Sequence, residues 1–297
     1  MTNLSQNSNI FIDNKLINLS PKEKLNLILG EDFELIFDSK LKGQFNMDFD
    51  FGRVNEFNEF NEFNKFNNES KLNSKIQTKS MLRFYGWEPY CLSLGYNQKE
   101  ENILVNNLAL KKYDLVRRPT GGRAVFHSNE ITYSCVFDLT ATTQRLISIG
   151  YLNTTVNYTH RDFYQDIHLI LVEIFSNIPN IGDKLDFSKK DTNFKSHYKS
   201  ISSMSCFTSS ARFEITSQNK KIVGSAQRLF GNILLQHGSI LLGREHLEIV
   251  DFLNIKDEEK QNFKNELEKS SISLSEIADR EISFEEITDI VKNQLKL

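Results

Sequence analysis

Two adjacent glycines, Gly121 and Gly122, constrain this chain more than any other feature, because an apolar alternating run follows directly on them. They lie in RRPTGGRAVFHSNEITYSC, residues 117–135. Glycine lets the backbone take positive φ and approach a ligand without a Cβ in the way. The stretch predicts bare backbone in a turn before a strand. It also fits an ordinary hairpin turn with incidental charges.

Polar and basic side chains surround this turn. Arg118 and Thr120 precede the glycines, and Arg123 and His127 follow them. Cationic groups beside bare backbone suit a binding site for a polar or anionic group, so we treat the whole turn as a candidate site.

Composition limits the classes of function. The 297 residues carry a net charge of −3, which argues against a nucleic-acid partner. Three cysteines without paired spacing argue against a disulfide framework and fit a reducing compartment. No C-x-x-C or histidine-rich cluster predicts a metal site. The first residues lack a signal-peptide pattern and no apolar run is long enough to span a membrane, so we expect a cytoplasmic protein without a membrane partner.

The chain divides into a loose N-terminal extension (1–30), a main domain (31–250) and an acidic helical C-terminal segment (251–297). A low-complexity insertion (55–79) begins with an Asn-Glu-Phe repeat. A three-residue period cannot keep its phenylalanines on one face of a strand, and on a helix they drift by about 60° per repeat. We expect a surface loop or a helix end there. The alternative is a partner contact through exposed phenylalanines.

Periodicity predicts the main elements. We expect a helix that starts at Ser20-Pro21, a helix over 101–113 and a long helix within 154–178. Residues 80–96 predict two short strands around a turn at 86–89. Residues 212–242 predict a three-stranded meander that carries Lys221, Gln227 and His237. Capping boxes at Ser273 and Ser283 predict C-terminal helices.

Cys206 and Lys221 are the candidate catalytic residues. If the turn between them folds the two strands together, the ammonium group faces the thiol, stabilises the thiolate and supplies a nucleophile for acyl transfer. The alternatives are a structural cysteine and a solvent-exposed charge at a strand end. Cys91 and Cys135 lie in apolar alternating runs and are predicted to be core residues.

Small residues open two gaps in the predicted meander. Gly224, Ser225 and Ala226 form one gap, with Gln227 next to it, and His237-Gly238 forms the other. Small residues in the middle of a strand let a ligand or another backbone lie close. We therefore place these residues at the border of one cavity, although a lone histidine is also typical of a hydrogen-bonded core.

Four motifs in this order resemble the biotin/lipoate A/B protein ligase superfamily. They are GQFNMDFDFG, LRFYGWEPYCLSLGYNQ, RRPTGGRAVFHSNEITYS and the pair KIVGSAQ with LQHGSILL. The resemblance covers about residues 32–60 and 80–295. It implies an α/β (α+β) fold with a mixed β-sheet flanked by helices, like the catalytic domains of lipoate and biotin ligases, with a small helical C-terminal segment.

The branch that the chain resembles is the cysteine-dependent, Bacillus-type octanoyltransferases. ATP-dependent lipoate ligases typically carry a third glycine where this chain has Arg123, and they need no cysteine nucleophile. The resemblance implies an octanoyl thioester on Cys206 and a Lys221 that lowers the thiol pKa, without a cofactor.

The implied donor is octanoyl-acyl carrier protein, and the implied acceptors are lipoyl domains or the glycine-cleavage H protein. The glycine turn, His127, residues 224–227, His237 and Gly238 would bind substrate. Because these partners are acidic, we expect a basic docking patch, made of Lys111, Lys112, Arg117, Arg118 and Arg123. An ATP-dependent lipoate-protein ligase is the alternative function.

Overall fold

The structure is a computed structural model, and it describes residues 19–66, 78–188, 207 and 213–295. Its strands are β1 (Glu34–Leu41), β2 (Met81–Trp87), β3 (Cys91–Leu94), β4 (Asp114–Arg117), β5 (Val125–His127), β6 (Glu130–Asp138), β7 (Asp186–Ser188), β8 (Glu214–Ser217), β9 (Lys220–Lys221), β10 (Val223–Phe230) and β11 (Ile233–Leu241). Its α-helices are α1 (Pro21–Leu29), α2 (Gly43–Phe66), α3 (Val105–Leu110), α4 (Leu139–Ser148), α5 (His160–Phe175), α6 (Asp257–Ser270), α7 (Leu274–Ala278) and α8 (Phe284–Gln294). Glu245–Phe252 forms a long 3₁₀ stretch.

A five-stranded mixed sheet organises the fold, in the order β1-β2-β6-β11-β10. Only β1 and β2 are parallel within it, and helix α2 connects them. Two three-stranded sheets accompany it, β4-β3-β5 and β7-β8-β9. This arrangement confirms the predicted mixed α/β fold.

The two faces of the large sheet have different neighbours. Helices α1, α4, α5, α7 and α8 cover one face and bury the largest apolar cluster of the described chain, which includes Tyr133, Phe163 and Ile287. We call this the core face. Helix α2 packs on part of the opposite face, where Val54 and Phe57 contact strand residues such as Val136. We call that opposite face the site face.

Local capping signals start the helices where the sequence predicts them. The Ser20 hydroxyl accepts from the Glu23 N–H, and the Glu23 carboxylate accepts from the Ser20 N–H at 2.8 Å. The same capping box forms at Ser273 with Glu276. At Ser283 only half of the predicted box forms, because the Glu286 carboxylate accepts from Arg280 instead.

The Asn-Glu-Phe repeat continues a helix as far as Phe66, so of the two predicted placements the structure has the helix end. Phe57 in the repeat is buried against the site face, and Phe60 is half-buried. The fully exposed phenylalanines that a partner contact needs are therefore not found at these two positions. The remainder of the insertion, residues 67–77, lies outside the described residues.

The predicted three-stranded meander is wrong in one respect. The segment forms two hairpins in two sheets, β8 with β9 and β10 with β11. The chain passes from the small sheet to the large sheet at Ile222. The N–H of Ile222 donates to Ile215 in the small sheet, while its oxygen accepts from Leu241 in the large sheet. A continuous apolar run in the sequence does not show which partner strand each half will take.

A buried ion pair fastens α2 to the large sheet. Arg83 on β2 donates to Asp50 on α2 at 3.0 Å, and both side chains are fully buried. Arg83 also contacts Asp38 at 2.6 Å, and the Tyr85 hydroxyl donates to Asp50 at 3.0 Å. Removal of one partner of a buried pair leaves the other charge uncompensated.

We expect Asp50→Ala to lower the free energy of unfolding by about 3 kcal/mol, the low end for a buried pair because Asp38 remains beside Arg83. Urea unfolding curves measure the loss. The matched control is Asp48→Ala on the same helix, where the carboxylate is exposed and a change within about 0.5 kcal/mol is expected. Equal losses in both variants would contradict the stabilising role of this ion pair.

Candidate active site

Arg118 holds the glycine turn in place from inside the protein. Its side chain is almost fully buried, and Nη1 donates to the backbone oxygen and the hydroxyl of Ser93, both at 3.1 Å. Nη2 donates to the backbone oxygens of Gly121 at 2.9 Å and Arg123 at 2.6 Å. The predicted docking role of Arg118 is therefore wrong, because backbone oxygens of β3 and of the glycine turn bind its guanidinium group inside the fold.

The two glycines of the turn have different constraints. Gly122 has a φ of +91°, and a Cβ there would lie 2.9 Å from Nη2 of Arg118. Its backbone also passes so close to Gly95, at the end of β3, that a Cβ on Gly95 would overlap the Gly122 oxygen. A Cβ on Gly121 would meet nothing within 4 Å. Gly122 thus has the positive φ that the glycine pair allows, and its close approach is to the protein backbone at Gly95, while the approach to a ligand stays a prediction.

A narrow cavity of about 20 Å³ lies on the site face. It crosses the large sheet from the edge strand β10 to the buried strand β2. The residues that line it are Met47, Tyr85, Trp87, Arg118, Val125, His127, Thr132, Gly224, Ala226, His237, Gly238 and Ser239. The structure therefore brings together Arg118, His127, Gly224, Ala226, His237 and Gly238 from the predicted substrate-binding set.

The polar groups of the cavity wall bond mainly to other buried side chains behind the wall. His127 contacts Ser93 through Nε2 and Glu130 through Nδ1, both at 2.8 Å. Thr132 donates to the buried Glu130 carboxylate at 2.8 Å, and Ser239 donates to its other oxygen. Because these groups already have partners, an apolar ligand in the cavity would leave them satisfied.

Trp87 contributes its large apolar ring to the cavity wall. The sequence did not predict it as a site residue. Its ring stacks on His127 with centroids 3.9 Å apart and an angle of 12° between the planes. Its indole N–H donates to Thr132 at 2.8 Å. The sequence placed Trp87 in a turn, whereas it is the last residue of β2 and fully buried.

His237 joins the cavity to the glycine turn. Its Nε2 lies 2.6 Å from the hydroxyl of Thr120, and its Nδ1 lies 3.8 Å from the Asp50 carboxylate. Burial lowers the pKa of His237, and Asp50 acts against that shift. Both descriptions that the sequence allowed apply, since His237 is a hydrogen-bonded buried residue and also lines the cavity.

Two predicted binding residues point to the opposite side of the sheet. The Ser225 hydroxyl lies on the core face, 2.8 Å from the Tyr133 hydroxyl and 2.8 Å from Nε2 of His168. Gln227 shares that face because side chains alternate along a strand. A Cβ on Gly238 would overlap Ser225 and Tyr133, so on the core face this glycine makes room for protein side chains.

Lys221 is buried and forms an ion pair with Glu214 across the β8–β9 hairpin. Glu214 is 1 % exposed, so both charges lie inside the protein. The solvent-exposed lysine that the sequence allowed is therefore not what the structure has. Lys221 itself is not among the residues that line the cavity, although Gly224 lies three positions further along the chain.

Cys206 lies outside the described residues, so its predicted proximity to Lys221 stays a prediction. Its neighbour Phe207 is described and buried, with its ring centroid 5.4 Å from that of His246. Cys91 and Cys135 are fully buried, as predicted for core residues, and burial raises the pKa of both thiols.

The described part of the chain shows no metal centre and no membrane segment. Among those residues, His, Cys, Asp and Glu do not gather in any group of three or more that could hold a metal ion. In the same part of the chain, no helix has the length and apolar character needed to cross a bilayer.

Solved structures of lipoate protein ligases have the same fold as this chain. Lipoate-protein ligase A bound with ATP superposes with a TM-score of 0.53 at 15 % identity, over 89 % of this chain and 84 % of that one. A bi-partite lipoate protein ligase from Thermoplasma acidophilum gives 0.53 at 14 %, over 89 % and 82 %. At such identities the likeness shows the fold alone.

Sequence comparison shows the family. The model of the lipoyl protein ligase A/B catalytic domain matches residues 63–296, and the chain belongs to this family. A protein named Octanoyltransferase LipM from Kyrpidia tusciae is 30 % identical over 219 residues, 73 % of this chain and 74 % of the relative. One of the same name from Clostridioides difficile is 38 % identical over 169 residues, 57 % and 56 %. The predicted class of enzyme, an acyltransferase, is thereby confirmed.

We expect Gly122→Ala to destabilise the protein by about 1–2 kcal/mol, because a side chain disfavours the positive φ and presses on Arg118. Gly121→Ala faces open space and should change stability by less than about 0.5 kcal/mol. Differential scanning fluorimetry compares the two. Equal melting temperatures of the two variants would show that neither the positive φ nor the contact with Arg118 restricts the residue at position 122.

Proposed function

We propose that this acyltransferase moves an octanoyl group from octanoyl-acyl carrier protein to a lysine of a lipoyl domain or of the glycine-cleavage H protein, through a thioester on Cys206. The observation that carries the proposal is the buried Lys221–Glu214 pair, in which Lys221 lies three residues along the chain from Gly224 in the cavity wall. The names of the relatives support octanoyl as the transferred group.

The first step forms the acyl-enzyme. The Cys206 thiolate attacks the thioester carbonyl of the donor, and the carrier's thiolate leaves. The Lys221 ammonium stabilises the attacking thiolate, while the Glu214 carboxylate compensates the lysine charge in its buried position.

The second step forms the amide. The amine of the acceptor lysine attacks the Cys206 thioester, the Cys206 thiolate leaves, and the amine loses one proton. This proton balances the one that the carrier's thiolate takes up on leaving, and Lys221 can relay it by giving its ammonium proton to that thiolate and then accepting the proton of the attacking amine. Conversion of a thioester to an amide is downhill, so the two steps need no ATP. A cysteine nucleophile needs a reducing environment, and we therefore place the reaction in the cytoplasm.

In this proposal the acyl chain enters the narrow cavity on the site face, and the cavity walls move apart to admit it, because the present volume of about 20 Å³ holds little more than a water molecule. Burial of the chain contributes up to about 0.8 kcal/mol per CH₂ group. Backbone N–H groups near Gly121-Gly122 or Gly224 are candidates to stabilise the oxyanion, an interaction typically worth about 3 kcal/mol. The exposed Lys112 remains a candidate for docking acidic partner domains. Lys111 is already paired with Glu248 at 2.8 Å, and Arg117 donates to the backbone oxygens of Gly95 at 3.0 Å and Gln98 at 2.5 Å.

Incubation with octanoyl-acyl carrier protein and no acceptor should add one octanoyl group at Cys206, measured by intact and peptide mass spectrometry. The adduct should be labile to hydroxylamine and absent in Cys206→Ala. The matched controls are Cys91→Ala and Cys135→Ala, which remove buried thiols and should leave the adduct in place. No adduct on the wild type, or the same labile adduct in Cys206→Ala, would remove the mechanism.

Octanoyl transfer to a lipoyl domain should proceed at the same rate with and without ATP and Mg²⁺, and should be lost in Cys206→Ala. An ATP-dependent lipoate ligase would instead use free lipoate, release AMP and tolerate Cys206→Ala. A protein that only binds the two partners would give neither adduct nor turnover. Both of these outcomes contradict the proposal, and the cofactor requirement tells them apart.

A further inference from the structure

His168 lies on α5, is fully buried and has a partner for each ring nitrogen. Nδ1 lies 2.7 Å from the backbone oxygen of Phe213, and Nε2 lies 2.8 Å from the Ser225 hydroxyl. A carbonyl oxygen only accepts, so Nδ1 carries the proton. In the neutral ring Nε2 then accepts from Ser225.

The direction of the neighbouring hydrogen bonds follows from this assignment. Since Ser225 donates to His168, the Tyr133 hydroxyl donates to Ser225 at 2.8 Å. Gln236 in turn donates to Tyr133 at 2.7 Å. The four side chains form one buried sequence of hydrogen bonds in which each donor is fixed by the next acceptor, and such networks are rigid.

The two residues that His168 contacts lie on either side of the Lys221–Glu214 pair in the sequence. Phe213 immediately precedes Glu214, and Ser225 follows Lys221 by four residues. Phe213 has a φ of +67°, a conformation that is costly for a bulky side chain and needs support from its surroundings. The bond from Nδ1 to the Phe213 oxygen provides such support at the start of β8.

We infer that His168 is a positioning residue for the Lys221–Glu214 pair. It acts through the two segments that carry the pair rather than on the reacting atoms. The inference rests on the proposed function, in which Lys221 stabilises the Cys206 thiolate. It assigns a role to a histidine that neither the cavity nor the proposed mechanism uses.

His168 does not titrate in the pH range of an assay. Burial lowers its pKa to about 4, the nearby Lys221 charge acts in the same direction, and the bond to Phe213 opposes the shift. Among the described residues, the other titratable groups beside the ring are Tyr133, at 3.3 Å, and Tyr164, whose ring centroid lies 4.3 Å away. A change in a pH profile above about pH 6 therefore reports on the thiol and the lysine.

The test measures the rate of alkylation of Cys206 by iodoacetamide against pH, together with kcat and KM for octanoyl-acyl carrier protein, in the full-length protein. The variants are Lys221→Ala, His168→Ala, His168→Asn and Ser225→Ala. Asparagine places an amide N–H near the position of Nδ1 and can keep the bond to Phe213. The matched control is Tyr158→Phe, which removes a buried 2.7 Å hydrogen bond to Asp166 on the same helix.

We expect His168→Ala to raise the pH midpoint of alkylation by about 1 unit, toward that of Lys221→Ala, because a displaced lysine stabilises the thiolate less. At pH 7 acyl-enzyme formation should fall about tenfold, with KM within about twofold. His168→Asn and Ser225→Ala each keep one of the two bonds and should give smaller shifts. Tyr158→Phe should lower the melting temperature and leave the midpoint unchanged.

The outcomes separate the two proposals. If Lys221→Ala shifts the midpoint and His168→Ala only lowers the melting temperature, His168 has a purely structural role and the inference is wrong. If Lys221→Ala itself leaves the midpoint at the wild-type value, the pairing of Cys206 with Lys221 fails, and the positioning role fails with it.

Discussion

The proposed active site depends on the buried ion pair between Lys221 and Glu214. A lysine charge inside a protein is costly unless a carboxylate compensates it. The β8–β9 hairpin supplies that carboxylate from the neighbouring strand, and the first residue before β8 is held at a positive φ by α5. The chemistry of the proposed reaction thus depends on a short hairpin outside the large sheet. The hairpin is joined to that sheet directly at Ile222 and also through His168, which contacts both Phe213 and Ser225.

The sequence predicted the parts of the fold that rest on local signals. The capped start of α1, the long apolar face of α5 and the core positions of Cys91 and Cys135 follow from neighbouring residues or from a 3.6-residue period. The split of the predicted meander into two sheets does not follow, because the strands compete for partners that are distant in sequence. The bond from Ile222 to Ile215 decides where the chain leaves one sheet for the other.

The difference between local signals and contacts distant in sequence also explains which site residues were predicted. The glycine turn, Lys221 and His237 carry local patterns of residue type and spacing. Glu214 and His168 have no such pattern, and they gain their roles from contacts 7, 45 and 57 residues away. Arg118 shows the opposite error, since a basic residue beside glycines suggests an exposed charge, but backbone oxygens from separate segments bind it inside the fold.

Strand β10 connects the two halves of the site. Its side chains alternate between the faces of the sheet, so Gly224 and Ala226 leave room for the cavity on one side while Ser225 joins the His168 network on the other. A shift of one residue in the pairing of β10 with β11 would exchange these roles and place Ser225 in the cavity. The register of this hairpin therefore fixes the shape of the cavity and the position of the His168 network together, because both depend on the same three consecutive residues.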